Sequence, residues 1–431
     1  MKQSNLKVLL SNRNFMLLWA DQILSNISYN FVNFGLLVWV YELTRSNFAV
    51  SLLILTIIIP TAVFSIFTGV ISDFFDKRRV MFIIDVLWAS LVLGFVMIKD
   101  NILAILTLSF IINSVDRFFT PAEQASLPSV VRRKDLLFAN SLFGIASNAT
   151  IVLGISMAGP LMLLFGNDSP FIVAAISTYL GAICVYFLPS IRSHVTTKSA
   201  VKLILDDTLS AIKIGGDFIL SKRAILTAII FLTVIQTCMN IGASLGPGYA
   251  EGTLGIDVKH ASLIFAFPVG IGFSLGIYFM NLWNGKILKR QIVQRGLFLG
   301  SIGLLLVGFG PLMSDILLSR TSHLYLIRPL SHLLSLSGLT FIAAFLMGMS
   351  IVFISVPTTT SLSENIPKEL QGRVWGVANM FQYAFASLPL LLIGAIADRI
   401  SVLPLIFIMV VLAIITYFLT RKKSFERFFF S

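Results

Sequence analysis

"GVISDFFDKRR", residues 69–79, packs two aspartates and three basic side chains into its last seven positions, whereas Val50–Val70 carries no charge. The chain turns apolar again at Val80. A dense mixed-sign cluster at the end of a long apolar run marks the place where a membrane helix meets water. The fold then depends on how often such runs recur.

They recur along the whole length. Charged residues make up 12% of the 431 and apolar ones 57%, with a mean hydropathy of +0.91; soluble chains carry about twice that charge fraction. Apolar runs fall at about 14–41, 48–72, 80–98, 102–126, 138–166, 169–189, 224–250, 260–283, 292–314, 336–360, 374–397 and 401–420. Each is long enough to cross a hydrocarbon core of about 30 Å as a helix. The longest polar interval, about thirty residues, leaves no room for a soluble domain. Cys184 and Cys238 lie inside apolar runs and the four histidines are scattered, so neither a disulfide nor a metal site is expected. Lys2, Lys7 and Arg13 precede a first run too long for a cleavable signal.

Twelve crossings put both termini on one side. Of the 32 lysines and arginines, 25 fall in segments on that side. The opposite connections hold 6, namely Arg45, Lys99, Lys259, Arg320, Arg328 and Arg399, and Arg117 alone is intramembrane. Basic residues collect on the cytoplasmic face, so both termini are expected in the cytoplasm. The net charge of +12 is thereby explained without a nucleic-acid partner.

The halves resemble each other. Shifting residues 46–80 by 212 positions lays Ala49 on Ala261 and Lys77–Arg78 on Lys289–Arg290. "FFTPAEQASLPSVVRRKDLLFAN" likewise resembles "ISVPTTTSLSENIPKELQGRVWGVAN", each closing on Ala-Asn, at Asn140 and Asn379. The expected division is 1–189, a basic amphipathic linker at 190–222 and 223–431. In the linker Leu205, Leu209, Ile212 and Ile219 share one helical face suited to the inner leaflet.

With these features the chain resembles transporters of the major facilitator superfamily over nearly all its length. Gly69, Asp73, Lys77 and Arg78 fill the glycine, aspartate and basic positions of that superfamily's cytoplasmic signature. "LLWADQILS", "VYELTRS", Pro60, Asp76 and "FFTPAEQASLPSVV…LLFANSL" are similar to its drug:proton antiporter branch, which includes macrolide efflux and enterobactin export proteins. There are departures: Phe74 stands in place of arginine, Ser28-Tyr29 in place of Gly-Asp, and Leu163-Leu164 in place of glycines. The resemblance implies an all-α fold of twelve transmembrane helices in two six-helix halves. It also implies that Asp73, with Lys77 and Arg78, latches the halves when the cytoplasmic side is shut. "GKILKR" at 285–290 reads as a degraded second copy. Read from the residues alone, the three basic side chains can equally be a topology signal.

Helix 1 carries Gln22, Asn26, Tyr29, Asn30 and Asn33 on one stripe, and helix 7 carries Thr233, Gln236, Asn240 and Ser244. Such stripes need an aqueous cavity or a packed partner. Gln22, Asn26, Asn30, Asn33, Gln236 and Asn240 are therefore candidates for the substrate cavity, with inter-helix packing as the alternative. Asp21, Asp116 and Arg117 lie furthest from the span ends, where a charge costs several kcal/mol unless paired or wetted. They are candidates for proton coupling, or for ion pairs to neighbouring helices; Asp85 reads as interfacial and Leu53 as lipid-facing.

No phosphate-binding Gly-rich loop and no catalytic constellation is present, so neither an enzyme nor a cofactor is expected. The reading is a secondary active exporter of a small amphipathic compound, working by alternating access with proton coupling, as a monomer in the bacterial inner (plasma) membrane. Its partners would be substrate, protons and the lipid bilayer. A lysophospholipid or siderophore transporter of the same fold, or a non-transporting scaffold or sensor, is the alternative.

Overall fold

A computed structural model of the protein describes residues 9–98, 101–191, 200–283, 286–321, 335–367 and 370–420. Among them there is no strand. Eleven helical stretches are long and apolar enough to cross a membrane, and Leu403–Phe418 adds a shorter apolar helix. Backbone that meets hydrocarbon must close its hydrogen bonds within itself, which is why these runs are helical.

The described residues divide into two compact units. The first is Met1–Leu43 with Leu53–Lys213. It contains α1 (Arg13–Thr44), most of α2 (Asn47–Phe74), α3 (Lys77–Met97), α4 (Ile102–Asp116), α5 (Phe119–Val130), α6 (Leu136–Phe165) and α7 (Ser169–Tyr186), and α8 (Ala200–Ser221) starts there. The second unit is Ile214–Ser431 together with Thr44–Leu52, so the turn between α1 and α2 belongs to it. Its helices are α9 (Arg223–Gly252), α10 (Phe267–Trp283), α11 (Lys289–Thr321), α12 (Leu336–Glu364), α13 (Gln371–Ile400) and α14 (Leu403–Thr420).

Side-chain caps fix several helix starts. Asn101 accepts from the Ala104 N–H at 3.1 Å to open α4, and Ser335 accepts from Gly338 at 3.2 Å to open α12. The sequence run at 102–126 is not one helix: α4 stops at Asp116 and α5 begins at Phe119. Pro121 explains the break, because its ring clashes with the carbonyl four residues back, at Arg117, and it offers no N–H.

In the first unit, α1, α3, α5, α6 and α7 share a core that includes Phe15, Leu18, Met81, Phe119, Leu127, Phe143 and Val185. In the second, α12 packs on α10 and on α11. A methyl group at Gly348 would run into backbone of Val269 and Phe273, and one at Gly303 would come 2.9 Å from Met347. Where apolar burial cannot drive association, such close backbone approach supplies the packing contacts.

The expected lipid-facing Leu53 is a correction: it is 2% exposed. It lies in the first turns of α2, where the neighbouring Val50 and Ile54 are buried as well. Within α8, Gly215 approaches the Arg373 carbonyl and Val377 of α13, and Ile219 is buried. This end of α8 packs on protein; the side chains of Leu205 and Leu209 lie outside the described residues, as do residues 322–334 of the external segment 315–335.

Candidate functional site

Three carboxyl groups are buried in the first unit. Asp21 of α1 is 0% exposed, Asp85 of α3 is 2% and Glu123 of α5 is 6%. Asp21 and Asp85 are hydrogen-bond partners, and Ser25 donates to Asp21 at 3.3 Å. Glu123 acts electrostatically on Asp85 and feels Asp21 and Asp116. One oxygen of each of the three (Asp21 Oδ2, Asp85 Oδ2, Glu123 Oε1) has no hydrogen-bond partner. Among the described residues no lysine or arginine makes an ion pair with any of them.

The helices bring them to one depth. Asp21 and Asp85 each lie eight residues beyond their helix start, at Arg13 and Lys77, or about 12 Å along the axis. Glu123 lies seven residues before the end of α5 at Val130, or about 10 Å. One turn nearer those helix ends, on the same faces, sit Leu18, Met81 and Leu127 of the apolar core. Ser126 donates to the Met81 sulfur at 3.7 Å, which joins α5 to α3 there. The carboxyls therefore rest on an apolar floor. Against Asp21, α7 brings Gly181, where a methyl would come 2.6 Å from Oδ1; Cys184 of α7 feels its charge.

A hydrogen bond between two carboxyls needs a proton on one of them, because an ionised carboxylate only accepts. Two buried carboxylates side by side without a cation would each demand desolvation and repel the other. The arrangement can thus take up and release a proton.

Asp85, read as interfacial, is buried against protein and lies eight residues into α3, whose start is at Lys77. Asp116 and Arg117 also differ from an unbroken helix, in which neighbours diverge by about 100°. At the break before α5 they pair with each other at 2.5 Å. Arg117 donates to the Tyr29 hydroxyl at 3.3 Å and lies over the Tyr29 ring.

Of the helix 1 stripe, Gln22 is buried and donates to the Phe143 carbonyl of α6 at 3.3 Å; the asparagines are half-buried and bonded to their own helix. Asn26, Asn30 and Asn33 donate to carbonyls four residues back, Gln22, Asn26 and Tyr29, at 2.7–2.9 Å. That leaves their acceptors available, and Asn33 Oδ1 and Gln22 Oε1 have no partner. In the second unit Gln236 donates to Asn240 at 3.2 Å, whose amide nitrogen is unpartnered.

Of the signature residues, the side chains of Gly69 and Asp73 lie outside the described residues. Asp76 caps α3, accepting from the Arg78 N–H at 3.1 Å, from Ser190 Oγ at 2.6 Å and from the Ile191 N–H at 3.2 Å. Partial burial opposes its ionised form, but these bonds and one from the Arg79 N–H outweigh burial and hold it below the usual 3.8. The Lys77 N–H donates to the Ile191 carbonyl at 3.1 Å, and Arg78 donates to the Tyr186 carbonyl at the end of α7. These two tie α3 to α7 inside the first unit. In the second copy Lys289 pairs with Glu364.

Sequence reasoning missed two groups. Glu123 carried a signal, an acid two residues after the helix-breaking Pro121 inside an apolar run. Ser244, placed on the helix 7 stripe, instead bonds Ser51 at 2.7 Å and the Asn47 carbonyl at 3.1 Å.

Membrane-length helices with ionisable groups buried among them are what a membrane transporter carries. Residues 18–389 match the family model of the Major Facilitator Superfamily, and the chain belongs to that superfamily. It is 23% identical over 375 residues to YfiS, an MFS-type transporter of Bacillus subtilis, covering 85% of this chain and 82% of the relative. It is 23% identical over 403 residues to macrolide efflux protein A of Streptococcus pyogenes, covering 90% of each. The crystal structure of the nucleoside transporter NupG shares the fold, with a TM-score of 0.69 at 12% identity, covering 94% of this chain and 98% of that one.

Proposed function

We propose that the protein exports a small amphipathic compound and is driven by protons taken up and released at Asp21, Asp85 and Glu123. The observation that carries this is the burial of three carboxyls, on three helices at one depth, with a hydrogen bond between two of them and, among the described residues, no ion-paired cation. An intramembrane ionisable cluster marks an ion path by default. Asp116, paired with Arg117, stands within electrostatic reach of Glu123 and links the cluster to Tyr29 and the polar stripe of helix 1.

Export is supported by the likeness to macrolide efflux protein A and by the chemistry of the stripe. Amide acceptors among apolar side chains suit molecules that are mostly greasy with a few polar groups. Gln22, Asn26, Asn30 and Asn33 would line the substrate path on α1, with Gln236 and Asn240 on α9. The concentration of basic residues on the side of the termini supports cytoplasmic ends.

Inside-out vesicles containing the protein test this. A panel of a macrolide, a lysophospholipid and a siderophore should show accumulation of the macrolide that stops when the pH gradient is collapsed. Accumulation that survives the collapse would overturn proton coupling, and preference for the lysophospholipid or siderophore would overturn the substrate class.

A further inference from the structure

The Arg295 guanidinium of α11 lies 4.9 Å from the ring centre of Trp283, the last residue of α10. Arg295 is exposed, and among the described residues it makes no ion pair and no hydrogen bond through its side chain. Its basic neighbours on α11 are engaged: Lys289 pairs with Glu364, and Arg290 donates to the Thr420 carbonyl at 3.4 Å. Arg295 lies six residues beyond the helix start at Lys289, or about 9 Å along the axis. That is inside a stretch apolar enough to span the membrane, where a cation needs a partner or a route to water.

The ring is fixed from behind. Trp283 sits 5.7 Å from Phe279 and 5.3 Å from Phe353 of α12. Both α10 and α11 pack on α12, drawn in by glycines. A methyl at Gly276 would come 3.0 Å from Val352, and one at Gly296 would come 2.7 Å from Ile354. Arg295 and Trp283 thus join α10 and α11 at one end. Further from that end, Ile277 and Phe273 of α10, Leu299 of α11 and Met349 of α12 are only half-buried, packed on the buried Val352 and Phe353. From Trp283 to Phe273 is ten residues, about 15 Å, or half of a hydrocarbon core of about 30 Å.

Lys286 adds a second charge. Its N–H donates to the Trp283 carbonyl at 2.8 Å, which sets it just past the ring, and its side chain is exposed. A guanidinium engaged only through a ring keeps its N–H groups for an acceptor, and a phosphate accepts two of them in parallel. Basic side chains between membrane helices on the cytoplasmic side recognise anionic headgroups. A zwitterionic headgroup would bring an ammonium that Lys286 repels. A free phosphate would use the cations but leave the apolar row uncovered.

We propose that Arg295, Trp283 and Lys286 form a binding site for one anionic phospholipid of the cytoplasmic leaflet, with its phosphate on Arg295 and an acyl chain along Ile277 and Phe273. The site uses none of the residues assigned to transport above, so it stands whether or not the protein exports.

Purified protein in detergent is titrated with dioleoyl phosphatidylglycerol, dioleoyl phosphatidylcholine or inorganic phosphate, and bound lipid is counted by native mass spectrometry. The wild type should keep one phosphatidylglycerol, held roughly tenfold more tightly than phosphatidylcholine. Arg295→Ala should weaken phosphatidylglycerol roughly fivefold, as loss of one cation beside a phosphate does, and leave phosphatidylcholine unchanged. Arg295→Lys, which keeps the charge without the planar fork, should fall between. The control is Lys222→Ala, which removes another exposed cation over a ring, that of Phe218 at 4.9 Å; it should bind as the wild type does. Wild-type binding in both Arg295 variants, or equal weakening by Lys222→Ala, would overturn the site. Displacement of the lipid by inorganic phosphate at equal concentration would overturn its assignment to a phospholipid.

Discussion

Asp21 of α1 and Asp85 of α3 share a hydrogen bond although both are shut away from solvent, at 0% and 2% exposure. Each needs the other's protonation state to be settled, so they should behave as one group. Asp21→Asn and Asp85→Asn should each reduce proton-driven accumulation on the order of tenfold or more, and the double variant no further, as expected of residues acting as a unit. Transport assays on the single and double variants check this; additive losses would separate the two residues.

Asp76 gives a pH dependence outside the membrane. Its folded value lies below the usual 3.8 because hydrogen bonds to the carboxylate outweigh partial burial. A depressed acid contributes stability above its unfolded value and loses it as pH falls through the folded value. Asp76→Ala should therefore melt lower than wild type at pH 7, and the gap should close below the ordinary carboxylate range. Melting curves across pH measure it. A gap that persists in strong acid would assign the effect to packing.

Glycine packing in the second unit separates two otherwise similar substitutions. A methyl at Gly348 meets backbone of Val269 and Phe273, whereas one at Gly242 meets nothing within 4 Å. Gly348→Ala should destabilise by about 1–3 kcal/mol, as overpacking does, while Gly242→Ala should be neutral or slightly stabilising. Chemical or thermal unfolding in detergent distinguishes them.

Pro121 sets the break that lets Asp116 and Arg117 pair. Pro121→Ala allows α4 to run on into α5, which turns the two side chains apart. Stability should hold or rise, since proline is the poorest helix former, while transport falls. A loss of both together would make the break a folding requirement only.

Much of the architecture could be read from apolar run length and from the placement of basic residues, because hydrocarbon allows so few backbone solutions. The site was less legible for definite reasons. Asp85 sits in "FIIDVLW", close to a cluster of basic residues, which suggested a shallow position; periodicity could not show that Asp21 and Glu123 of other helices meet it there. The Asp116–Arg117 pair depends on a proline four residues further on, a local override of helix periodicity. Asp398 accepts from the Asn47 and Phe48 N–H groups, some 350 residues away in sequence, and no periodicity reports such a distance. Ser244 looked like part of a polar stripe because periodicity shows which face a residue occupies and not what it meets.

In the proposed function the carboxyls of the first unit carry the coupling proton. The most direct measurement is proton release by purified protein in weakly buffered detergent solution when a transported macrolide is added. The wild type should release a proton as substrate binds, and Asp21→Asn and Asp85→Asn should bind the same substrate and release none. Undiminished release from both variants would contradict the account and place the coupling group elsewhere.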